Sequence, residues 1–164
     1  SPFQLFTVTG KRFGADVLAG DEAELRAMAK QYDQDNAVIK DGVVRIATVP
    51  HLMKFSVTEF IVKAGSKLKL EFHNTDVMLH NVVVGQQKSA SKIGVLADAM
   101  AATAEGLGKH YVPETPLIIA ATPQLQPGKK MVIDLTVPDK PGRYPYMCTF
   151  PGHWRIMKGT MIVE

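Results

Sequence analysis

From residue 43 onward, apolar and polar positions alternate with the period of β-strands. Leu68, Leu70 and Phe72 interleave with Lys67, Lys69, Glu71 and His73, the pattern of a strand with one face in a core and one in water. The stretches 43–49 and 54–62 are equally rich in Val, Ile, Phe and Thr, and residues 81–84 form a valine run suited to an inner strand. Between 89 and 108 the period changes. Ile93, Leu96, Met100 and Ala104 share a helical face, with Ser89 or Ser91 as caps and Gly106 and Gly108 as stops. Strands return at 117–122, 131–137, 143–148 and 159–163, separated by Pro127-Gly128 and Pro141-Gly142 turns. This order predicts an all-β, antiparallel Greek-key sandwich or barrel with a helical insert near 91–105. Upstream, Asp21 and Glu24 form a capping box, and Leu25, Met28, Ala29 and Tyr32 line one face of a short helix over 22–32. Residues 1–45 are thus expected as a helix-containing extension packed on a domain spanning 46–164, the whole forming one globular unit.

Composition narrows the function classes. With 46% hydrophobic and 21% charged residues in 164, the chain has the make-up of a folded domain. Nineteen Lys and Arg against 16 Asp and Glu leave a net charge of +3, and the basic residues are scattered among acidic ones. That distribution argues against a nucleic-acid partner. No apolar run approaches the ~18 residues needed to span a bilayer. The chain opens at Ser1 without a basic-then-apolar leader, so a removed signal or anchor is expected. Its one cysteine, Cys148, excludes an intrachain disulfide.

That cysteine opens the segment CTFPGHWRIM, which places a thiol, an imidazole and a thioether at Cys148, His153 and Met157. Pro151-Gly152 supplies a tight loop that folds His153 and Met157 back towards the sulfur. Soft sulfur donors with an imidazole select copper, because thiolate and thioether favour Cu(I) while imidazole suits both oxidation states. The fourth donor has to come from elsewhere, and His80, at the head of the valine-rich strand, is the natural candidate. Two histidines and a cysteine with a long axial methionine make a blue-copper electron-transfer centre. Around it, Asn81 is expected to tie its amide to the loop near Thr149, and backbone N–H groups near Phe150 to donate to the sulfur. Taken singly, each residue is more often core or a satisfied side chain; together, in a β-sandwich, they are hard to read otherwise. His51, His73 and His110 lie in loops or on a polar strand face and are read as surface residues.

The segment 148–161, CTFPGHWRIMKGTM, resembles the ligand loop and last strand of the azurins and auracyanins in the cupredoxin family. The resemblance extends to MKFSVTEFIVKAGSK from Met53, to His80-Asn81, and to KHYVPETPLIIAATPQLQPG from Lys109. It implies His80, Cys148 and His153 as equatorial ligands, Met157 as axial ligand, one copper ion cycling between Cu(I) and Cu(II), and one-electron transfer rather than catalysis. It also implies that His153 reaches the surface through an apolar docking patch at Met53, Met78, Met100, Phe150, Pro151 and Gly152. Trp154, which follows that histidine, departs from azurins and is expected either to narrow access to it or to serve as an aromatic contact. Leu79 replaces the glycine that precedes the first histidine in azurins.

The expected partners are redox proteins such as a cytochrome or a copper or haem oxidoreductase, and the expected location is periplasmic or otherwise extracytoplasmic. Two other readings compete. A copper oxidase or nitrite-reductase unit would flank the cysteine with histidines, whereas Met147 and Thr149 stand there. Copper storage or delivery would favour Met-rich or Cys-x-x-Cys sites, which the chain lacks.

Overall fold

Alternating burial defines the first sheet, as the pattern of Lys67 to His73 requires. The computed structural model describes residues 39–164; the expected helix at 22–32 lies outside the described residues. In chain order the elements are β1 (Val43–Val49), β2 (Lys54–Phe55), β3 (Glu59–Val62), β4 (Lys67–His73), β5 (Val83–Gly85), α1 (Ala90–Met100), β6 (Ile118–Ala121), β7 (Lys130–Thr136), β8 (Gly142–Met147) and β9 (Lys158–Val163). One sheet has the order β2-β1-β4-β7 and the other β3-β9-β8-β5-β6.

The stretch 54–62 is two strands, not one. Phe55 pairs with Thr48 of β1, whereas Phe60 pairs with Met161 of β9 in the opposite sheet. Ser56 marks the break: its Oγ accepts the Ala47 N–H at 2.9 Å, and its own N–H donates to Ala47 O at 2.7 Å. This change of sheet also explains why two neighbouring pairs, β1 with β4 and β3 with β9, are parallel where antiparallel pairing was expected. Parallel neighbours need a crossover, and the excursion through β3 supplies it between β1 and β4.

The core lies between the sheets. Val44, Ile46, Leu70, Phe72 and Leu135 meet Phe60, Val84, Tyr146, Cys148, Met157 and Met161 in one buried cluster. Phe55 sits at its centre, edge-on to Phe72 at 6.1 Å and tilted against Tyr146 at 5.5 Å. Truncating such a ring to alanine costs about 3–5 kcal/mol.

A second cluster covers the outer face of β5 and β8. Val83, Ile93 and Met147 are its buried members, with Trp154, Leu117 and Ile118 packed against them. Both faces of β5 are therefore covered, which is why its sequence reads as continuous valine. α1 ends at Met100, earlier than its pattern suggested, and 101–111 is a series of turns. Its buried face is Ile93, Gly94 and Ala97; Leu96, expected on that face, is 43% exposed. Gly94 is needed there because a Cβ would stand 2.1 Å from the Trp154 ring.

Candidate metal centre

The site forms where β5 and β8 run out at one end of the sandwich. Val83 pairs with Met147 and Val84 with Tyr146. Continuing that antiparallel register sets Asn81 opposite Thr149, and the two are joined by two hydrogen bonds. Asn81 Nδ2 donates to Thr149 Oγ1, and the Thr149 N–H donates to Asn81 Oδ1, both at 2.8 Å. The strand bearing His80-Asn81 is thereby fastened to the loop that begins at Cys148.

That loop is shaped by its own backbone. The His153 N–H donates to Phe150 O at 2.9 Å, closing the Pro151-Gly152 turn. The Met157 N–H donates to His153 O at 2.8 Å, a single helical turn that carries Met157 back under the loop. Finally the Cys148 N–H donates to Met157 O at 3.0 Å, so the first and last residues of the loop meet. Cys148 and Met157 are fully buried in the main core and His153 keeps 5% of its surface.

Three donor atoms converge. Cys148 Sγ lies 3.6 Å from His80 Nδ1 and 3.6 Å from His153 Nδ1, and all three atoms fall within 4.8 Å of one another. Bonds of about 2.0–2.3 Å from nitrogen and sulfur to a metal in a trigonal plane set N···S edges of about 3.7 Å. The triangle therefore has the size of a metal coordination plane, and its mixed nitrogen and sulfur donors fit copper.

Charge states favour binding. Burial pushes the Cys148 thiol up to about 11, against the pull of the Asn81 and Phe150 backbone N–H groups that donate to its sulfur. In the metal-free protein the thiol therefore holds its proton at neutral pH, and metal binding displaces it. Burial, reinforced by the nearby His80, lowers His153 below the ordinary histidine range, although Asp76 opposes this. Its ring is thus neutral and ready to act as a ligand.

Two carboxylates beside the site were not singled out from the sequence. Asp76, in the turn that follows β4, is buried, and its Oδ2 lies 2.7 Å from His80 Nε2. Its Oδ1 accepts the His51 N–H at 3.0 Å and the Val77 N–H at 2.8 Å. Burial pushes this carboxyl up, but those three hydrogen bonds outweigh it and hold Asp76 below the ordinary carboxylate range. An ionised carboxylate only accepts, so His80 Nε2 carries the hydrogen of this bond, and Nδ1 is the ring nitrogen that faces the sulfur. The spacing of Asp76 and His80, four residues apart across a turn, was the one local signal.

Asp98, on α1, clamps the other half of the site. It accepts the Gly152 N–H at 3.1 Å, Trp154 Nε1 at 2.9 Å and an Arg155 guanidinium N–H at 3.2 Å. Burial raises its carboxyl, and these donors, Trp154 first, more than reverse that. The Trp154 ring accordingly lies against Gly94 on α1, with Arg155 stacked over it at 4.3 Å. Among the other patch residues, the Phe150 ring lies 4.8 Å from that of His153, Met78 is 41% exposed two residues before His80, and Pro151 and Gly152 form the loop tip. Met53 is half-buried against the main core, and Met100 is half-buried at the end of α1.

Residues 43–164 match the family described as copper binding proteins, plastocyanin/azurin family. The chain is 31% identical over 125 residues to auracyanin-A of Chloroflexus aurantiacus, covering 74% of each. It is 36% identical over 92 residues to azurin of Pseudomonas aeruginosa, covering 54% of this chain and 59% of that protein. Among solved structures, dithionite-reduced auracyanin from Roseiflexus castenholzii superposes with a TM-score of 0.66 at 31% identity, covering 76% of this chain and 98% of that one. Auracyanin A, described as a "blue" copper protein, superposes at 0.67 with 27% identity, over 74% of this chain and 98% of that one.

Proposed function

The chain belongs to the plastocyanin/azurin family of copper-binding proteins, and from that premise we propose that His80 Nδ1, Cys148 Sγ and His153 Nδ1 would hold one copper ion, with the Met157 thioether as a further donor. Its function is one-electron transfer, as a carrier and not an enzyme. The bound ion supplies the redox couple, Cu(II) accepting one electron to become Cu(I). Everything else is the work of the chain. Cys148 gives up its proton to become a thiolate, and the N–H groups of Asn81 and Phe150 stabilise the charge on its sulfur. The Asn81–Thr149 bonds and the Cys148–Met157 closure hold the donors in one geometry for both oxidation states. Burial keeps water from adding itself as a ligand. A donor set that does not rearrange keeps the cost of each electron transfer low.

The observation that carries this reading is the buried N, S, N triangle, whose two edges to the sulfur are each 3.6 Å. His153, the ligand with residual exposure, is the side from which electrons enter and leave, past Phe150, Pro151, Gly152 and the exposed Met78. Small apolar contacts suit brief encounters, which bury less than about 1,200 Å². The partners are other redox proteins, such as a cytochrome or a copper or haem oxidoreductase, and the working compartment is extracytoplasmic, the periplasm in a Gram-negative cell. No helix among the described residues is long and apolar enough to cross a membrane. Voltammetry of the copper-loaded protein tests the function: one reversible one-electron wave at one copper per chain supports it. Catalytic current with oxygen or nitrite, or no wave, refutes it.

A further inference from the structure

The buried carboxylate of Asp76 has an arrangement that goes beyond filling a turn. It stands directly behind a proposed ligand, with Oδ2 2.7 Å from His80 Nε2, on the side of the ring opposite Cys148 Sγ. Both of its oxygens are engaged, Oδ1 by the His51 and Val77 N–H groups and Oδ2 by the imidazole. The turn is itself fixed. Asn74 Oδ1 accepts the Asp76 N–H at 3.0 Å, while Asn74 Nδ2 donates to the carbonyls of Met78 and Leu125, both at 2.7 Å. His80 is further held by Leu125, whose N–H donates to His80 O at 2.8 Å. A carboxylate is therefore kept at a fixed distance from the remote nitrogen of one histidine, and in a buried setting its negative charge is weakly screened.

We propose that Asp76 is a positioning residue that fixes the tautomer and orientation of His80 and, through its charge, biases the copper site towards Cu(II), lowering the reduction potential. This rests on the copper reading above. The physical ground is that a hydrogen-bonded carboxylate makes an imidazole a stronger donor, and an anion favours the more positive oxidation state. A neutral acceptor at the same place would orient the ring without that bias. Asparagine cannot replace Asp76 without loss. If its oxygen faces His80, its NH₂ confronts the His51 and Val77 N–H groups; if reversed, it confronts Nε2–H.

The test compares Cu(II) affinity, Cu(I) affinity and midpoint potential in wild type, Asp76→Asn and Asp76→Ala. Removing the carboxylate weakens Cu(II) binding 10–100-fold, in line with other partners of metal-bound histidines. Cu(I) binding falls at least tenfold less, so the midpoint rises by about 59 mV or more for a one-electron couple. Equal losses for both oxidation states, with the potential unmoved, overturn the proposal in favour of a purely structural role. A measurement without mutation guards against variants that fail to fold. In the wild-type Cu(I) protein, ¹⁵N-resolved NMR of His80 is expected to show a protonated, slowly exchanging Nε2; an unprotonated or freely exchanging Nε2 overturns the proposal. If wild-type protein binds no copper as a coloured Cu(II) complex, the copper reading itself has failed, an outcome distinct from either of these.

Discussion

The two histidines that face Cys148 are held in opposite ways. His80 is fully buried at the end of an inner strand, and its carboxylate partner is also buried, within a turn tied down by Asn74. His153 sits on a loop whose outer clamp, Asp98, is half-exposed and reaches across from α1. One half of the site is built into the sandwich; the other is a loop strapped to the helix packed outside it. Buried polar networks cost much when broken, whereas exposed ion pairs contribute about 0–1 kcal/mol. The His80 side should thus set the electronic properties of the metal, and the His153 side the ordering of the loop through which electrons pass.

The largest effect tests what the two halves share. Cys148→Ser is expected to abolish the intense visible absorption of the copper protein altogether while leaving a folded chain, as circular dichroism would verify. Next in size, Asn81→Ala cuts the link between the halves. It loses both bonds to Thr149 and leaves a buried N–H without its acceptor, so chemical denaturation should show a loss of about 2–3 kcal/mol. A loss below ~0.5 kcal/mol would mean that the halves are held together by something else. Met157→Leu keeps both halves but replaces the thioether with a hydrocarbon; the colour should persist while the potential rises, because a drier, less polar surrounding disfavours the more highly charged Cu(II). Asp98→Ala should cost only about 1 kcal/mol in stability. It should nonetheless speed amide exchange at Gly152 and Trp154 and leave His80 resonances unchanged; movement of His80 would erase the distinction between the halves.

The thiol gives a pH test of the metal-free state. The folded pKa of Cys148, about 11, lies above its ordinary value of 9.0, so the fold favours the protonated form. Its contribution is complete below pH 9, where both folded and unfolded chains hold the proton. As pH rises the unfolded chain ionises first, and about 3 kcal/mol is lost by the time pH passes 11. Copper should remove this dependence, and denaturation midpoints at pH 8 and 10.5 with and without metal measure it. At neutral pH, copper uptake should draw one proton from Cys148 and none from His153, whose ring is already neutral.

How much of this could be read from the chain depends on the range of the interactions involved. β4, with its strict alternation, appears at 67–73 as expected, and β1 at 43–49. Cys148, His153 and Met157 stood out because three metal donors fall within ten residues, and a tight turn is all that is needed to gather them. The change of sheet at Ser56 was invisible because Val, Phe and Ile run on either side of it, and only pairing with Ala47 interrupts them. Leu96 was assigned to the buried face of α1 by its spacing, but that face is made by Ile93, Gly94 and Ala97, with Trp154 packed on Gly94, a contact across sixty residues. Asp76 and Asp98 were legible as a turn residue and a helix residue only. Their roles arise from side chains that other elements bring to them.

The central claim is that Cys148, His80 and His153 form a copper–thiolate site. Adding one equivalent of Cu(II) to the metal-free protein and recording the visible spectrum tests it most directly. An intense blue absorption is expected that saturates at one copper per chain, bleaches on addition of a reductant and returns on reoxidation. A colourless complex, or one whose weak absorption is untouched by Cys148→Ser, would contradict it.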